Sequence, residues 1–165
     1  MVALESSAPH TATYDVLLLI HGGVALVGFV SLVASYVAAM NLQRGVAAEA
    51  WPAAAARYFS PGPDIAGRFL YLVPVTGVAL IGSSHGAFGF GETFIQIGLG
   101  LWLVGIVVAE VSIFGPARTL RATIAASPTV PEDGEWRRLA GRLRWAVDAV
   151  GLLLIVAAIL MVAQP

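Results

Sequence analysis

Long apolar runs alternate with short polar stretches along this chain, and that alternation predicts its elements. From Leu17 to Met40 there is no charged residue at all, a run longer than the ~20 apolar residues that cross ~30 Å of hydrocarbon. Three further runs follow. The pattern predicts four spanning helices at about 15–41, 68–88, 93–114 and 145–162. Asn41, Gln43, Arg44 and Gly45 supply polar and glycine stop signals after the first. Pro74 lies inside the second and removes one backbone donor, so a kink is expected near Leu70 to Pro74. The turn at 86–92 is short, which makes spans two and three antiparallel neighbours, and Gly115-Pro116 is expected to end span three.

Two connectors separate the runs. In the first, residues 45–67, an alanine-rich stretch predicts a short interfacial helix, with Trp51 and Tyr58 at headgroup depth. In the second, residues 117–144, the breaker Ser127-Pro128-Thr129-Val130-Pro131 precedes a segment with Glu132, Asp133 and Glu135 at its start and Arg137, Arg138, Arg142 and Arg144 at its end. That order suits the helix dipole. It predicts an amphipathic helix that lies along the membrane surface and runs into span four.

Composition agrees: 165 residues allow one domain, and 58% hydrophobic against 12% charged is too apolar for a soluble fold. Mean hydropathy is +0.84. The absence of cysteine excludes disulfides, thiolate metal sites and cysteine nucleophiles. All 9 basic residues are arginines, and each falls in or beside a connector. By the positive-inside rule both connectors are cytoplasmic and both termini lie outside. The expected fold class is therefore all-α: an integral four-helix membrane bundle with two amphipathic cytoplasmic connector helices, multi-pass in the inner membrane.

Ionisable groups within apolar spans are candidate functional residues, and four stand out: His21, His85, Glu110 and Asp148. The expected span limits put His21 and His85 at one depth, ~4–6 Å below the outer surface. Facing imidazoles there would suit a bis-histidine b-haem. They would equally begin a copper or zinc site with His10 or Glu92, or hold a quinone head. The plainer reading has them bonded to Ser83, Ser84, Gln96 or water. Glu110 and Asp148 lie near the arginine-rich side, with Arg68, Arg118 and Arg144 as expected partners. Such pairs fix helix register and depth. A proton or cation relay through Glu110 is the sharper alternative, but Ser31, Ser35, Thr76 and Gln96 are too few for a continuous path. Arg137, Arg138 and Arg142 are expected at anionic lipid headgroups. Nucleic acid is excluded as a partner because the arginines serve orientation, and no phosphate loop, HExxH helix or nucleophile elbow occurs.

With four spans placed, the chain resembles a bacterial family of predicted four-helix integral membrane proteins built on a domain of unknown function. The residues that carry the likeness are Leu19-Ile20-His21-Gly22-Gly23, the polar turn after span two, the basic connector before span four, and the closing Met161 to Pro165. The early histidine is more distantly similar to that of the copper-resistance D family of membrane proteins and of small b-type cytochromes, although those carry more histidine or methionine. The leading expectation is a non-enzymatic packing or accessory subunit that associates with itself or with a larger membrane complex. The alternatives are a haem or metal redox module on His21 and His85, and a small transporter subunit using Glu110.

Overall fold

The computed structural model describes residues 11–44, 50–62, 65–127, 129–132 and 134–163. His10 and Gly45, named above as a metal ligand and a helix stop, lie outside them. Within these residues the chain forms α1 (Ala12–Arg44), α2 (Ala53–Tyr58), α3 (Ile65–Arg68), a 3₁₀ turn (Phe69–Tyr71), α4 (Leu72–Ser83), α5 (Thr93–Ala109), a π turn (Glu110–Phe114), α6 (Gly115–Ala126) and α7 (Glu135–Ala163). Four helical stretches are long and apolar enough to cross a membrane: Ala12–Arg44, Ile65–Ser83, Thr93–Ala126 and Glu135–Ala163.

Each apolar run becomes a helix, but polar side chains decide where it stops. The Thr11 hydroxyl accepts the Tyr14 N–H at 3.2 Å and caps α1, so that helix begins a turn before the expected start. At the far end of α4, the Ser84 hydroxyl donates to the Ile81 carbonyl at 2.8 Å and accepts the Phe88 N–H at 3.1 Å. His85 (φ 52) and Gly86 (φ 88) then take left-handed backbone. That closes the helix at Ser83, short of the expected Phe88.

Pro74 lies in the first turn of α4, just after the 3₁₀ turn at Phe69–Tyr71. Lacking an N–H, it leaves the Leu70 carbonyl without its helical donor, and the Trp102 indole N–H fills the vacancy at 2.9 Å. The second proline acts differently. Gly115-Pro116 does not end span three; the helix runs on to Ala126. The Gly115 N–H reaches back five residues to the Glu110 carbonyl, and this π turn absorbs the step that a proline cannot make. The real stop is Ser127, extended (φ −143, ψ 131) before Pro128.

Residues 135–144 run without a break into span four as the opening turns of α7, and Trp136, Ala140 and Leu143 on them are buried. The short α2 packs on α1 and buries Ala55 and Phe59 completely. Trp51 points inward, edge-on to Trp136 at 5.7 Å, and donates to the Ser127 carbonyl at 2.9 Å. Tyr58 bonds the Ser35 hydroxyl at 2.5 Å. An antiparallel bridge from Ala50 to Thr129 ties one connector to the other. Much of the buried core, including Leu42, Phe59, Leu120, Trp136 and Leu143, therefore gathers at the connector end.

α7 is the hub: α1, α5 and α6 all pack on it, while α4 packs chiefly on α1. Two glycines permit close approach inside the molecule. A Cβ at Gly28 would lie 2.6 Å from Leu70 Cδ2, and one at Gly98 would lie 2.5 Å from Met161 Cε.

Candidate functional site

The π turn carries the most polar constellation among the described residues. Glu110 opens that turn, and π turns recur at functional positions. Its carboxylate accepts the Tyr71 hydroxyl at 2.5 Å and Arg118 Nη1 at 3.3 Å. Arg68 lies over the rings of Tyr71 and Phe114, 5.6 and 5.7 Å from their centroids. Those rings stack on each other at 6.5 Å. The 3₁₀ turn before α4 presents Tyr71, α3 presents Arg68, and α6 presents Arg118, so the cluster joins span two to span three. The arithmetic of charge is uneven: the guanidiniums of Arg68 and Arg118 flank a single carboxylate, leaving one positive charge in excess. Glu110 and Arg118 are 41% and 57% exposed, which keeps the pair in the weak class of ~0–1 kcal/mol in water.

Glu110–Arg118 is the one expected acid–arginine pair that forms among the described residues. Arg144, another expected partner, turns instead to α1. Its Nη1 donates to Gln43 Oε1 at 2.5 Å, and its guanidinium lies over the Tyr36 ring at 5.3 Å. Its Nε is shielded without a partner. Asp148, one turn further along α7, is exposed and joins none of the ion pairs among the described residues. Spacing along the chain could not reveal this, because the rotation of α7 about its axis decides which way position 144 points. Arg137 covers the Trp136 ring at 5.1 Å, while Arg138 and Arg142 are exposed.

The two histidines are not brought together. His21 Nδ1 meets the Thr76 hydroxyl at 2.8 Å. That hydroxyl lies 3.0 Å from the carbonyls of Leu72 and Val73 and gives its hydrogen to them. A hydroxyl that gives its hydrogen to a carbonyl is left to accept from the imidazole. His85 sits in the turn beyond α4, exposed. From Thr76 to the end of α4 is roughly 10 Å at 1.5 Å per residue, so His21 lies far deeper than His85. The equal depth expected from the span limits fails because α1 starts earlier and α4 stops sooner. No group of three or more His, Asp or Glu side chains among the described residues is placed to hold a metal ion.

Tyr71, Trp102, Tyr36 and Gln43 are the partners that spacing did not disclose. Only Trp102 left a trace, since a proline four residues after Leu70 marks a carbonyl in need of a donor. No protein-family model matches the chain, and no curated protein or solved structure is detectably similar to it.

Proposed function

We propose that this chain is a small polytopic protein of the cytoplasmic membrane, a four-span bundle with both connectors in the cytoplasm and both termini outside. Its role is non-enzymatic: it docks against another membrane-embedded surface. The confinement of all 9 basic residues to the connectors and their edges supports the orientation. A single observation carries the docking role. Gly22, Gly23, Gly82 and Gly100 are exposed, and a Cβ at any of them would meet nothing within 4 Å. Among the described residues a few glycines, Gly28 and Gly98 foremost, are spent on close approach within the chain. In a bilayer, association between helices is driven by packing, and small residues mark the faces where backbones draw near. Glycines left open on the outside are therefore contacts for something else.

Gly82→Leu and Gly100→Leu test this reading. Neither side chain has an internal neighbour to disturb, so helix content and thermal stability should hold. Recovery of the complex purified in mild detergent should fall ~10-fold or more, as expected when a loss of at least 1.4 kcal/mol is imposed on association. Unchanged recovery in both variants would end the docking role.

A further inference from the structure

At about the same depth on different helices the molecule holds a carboxylate outside every ion pair among the described residues, Asp148, and a cation in excess, because Arg68 and Arg118 share the single carboxylate of Glu110. Leu70 and Val150 border one shallow crevice with no room for a water molecule, together with Trp102, Gly105 and Leu154. The polypeptide runs away from the connectors in both α4 and α7. Stepping back two residues from each, ~3 Å along the axis, reaches Arg68 and Asp148. Both are exposed. Asp148 joins no ion pair among the described residues, and Arg144 a turn away is engaged by Gln43 and Tyr36. The carboxylate beside Arg68 is Glu110, which also accepts from Tyr71 and Arg118, so two guanidiniums share one negative charge. Unpaired charge beside lipid is costly and is characteristically relieved by pairing.

An outward apolar stripe follows each charge, after the 3₁₀ turn in the case of Arg68 and directly along α7 in the case of Asp148. Beyond Arg68 the exposed positions are Leu72, Val75, Ala79 and Gly82; beyond Asp148 they are Leu152, Ile155, Ile159 and Val162. These steps of three and four residues make a continuous seam on a helix, and the first seam contains an open glycine.

Resting on the docking role proposed above, the geometry points to a second copy of this chain as the occupant: Asp148 of one copy pairs with Arg68 of the other. The seam of α7 lies parallel along the seam of α4, and the ion pair sets their register. A two-fold arrangement lets each copy give and receive the same contact, as closed dimers do.

Charge exchange tests it, with labelled full-length chains reconstituted into liposomes and self-association read by energy transfer. Wild type should associate, and D148R and R68D should each lose it by at least 10-fold. Mixed together, D148R and R68D should recover association, because every cross-pair again joins Arg to Asp; the D148R/R68D double variant should recover it alone. D148N, which keeps shape and drops charge, should weaken association without altering the thermal melt, so misfolding of a reversal does not obscure the result. Single reversals that associate like wild type overturn the pairing, as does a mixture that fails to recover while both chains remain folded. A wild type that stays monomeric overturns it as well. The docking role is read separately, from the glycine variants and whatever co-purifies with the chain.

Discussion

Trp102 shows how much one side chain can decide. Its indole N–H is the donor that Pro74 denies to the Leu70 carbonyl. Trp102→Phe removes that donor together with the five-membered ring around it, so it should destabilise the protein by at least ~1–3 kcal/mol, the cost of an unmade buried hydrogen bond. The same substitution in a Pro74→Ala background should cost less, because residue 74 then supplies its own N–H to Leu70. A double-mutant cycle on the thermal or denaturant midpoint measures that coupling; additive effects would show that the indole bond does not compensate for the proline. Glu110 presents the opposite case. With its partners half open to the surroundings, Glu110→Gln should shift stability by no more than ~1 kcal/mol, and a much larger loss would show that the cluster is sealed.

At the scale of elements, prolines and short polar side chains set the limits that apolar runs leave undefined. The existence and order of the four long helices were legible because each run exceeds what any other solvent tolerates. Their ends were not, because one hydroxyl on Thr11 and one on Ser84 move a terminus by a turn or more. Two identical-looking signals, Pro74 and Pro116, had different outcomes for a reason outside their own neighbourhoods: one borrows a donor from another helix, the other is absorbed by a π turn. The candidate site was legible in its parts and not in its pairings. Glu110, Arg68 and Arg118 could be named from position alone, whereas the equal depth of His21 and His85 depended on two helix ends that were misplaced. Pro116→Ala should allow the π turn to relax to α-helix, rotating Glu110 away from Tyr71. The expected readout is new protection of the residue-116 amide in hydrogen exchange, with the flanking helix still protected; an amide that exchanges freely would show that the turn persists without the proline.

For the molecule as a whole, the orientation is open to direct measurement, since a chain with no native cysteine accepts single reporters cleanly. A cysteine in place of Ser60 or Glu132 should resist an impermeant thiol reagent applied to intact cells, and one in place of Gly89 should react. The reverse pattern would invert the proposed topology. Packing adds a second property of the whole: the buried core crowds toward the connectors, while the candidate spans bury at most 33% of their most apolar windows. Opening should therefore begin at the far ends of the helices, where few side chains must separate.

The position of α7 as hub has a consequence for biosynthesis. Ribosomes deliver α1, α4 and α5 before the one helix on which α1 and α5 chiefly rest. Until that helix is inserted, the earlier ones wait in the lipid as lodgers without a landlord, exposed to proteases and to unrelated neighbours. Cells must either bring the fourth span in quickly or shelter the first three, so a stalled nascent chain ending before Glu135 should be degraded faster than the finished protein.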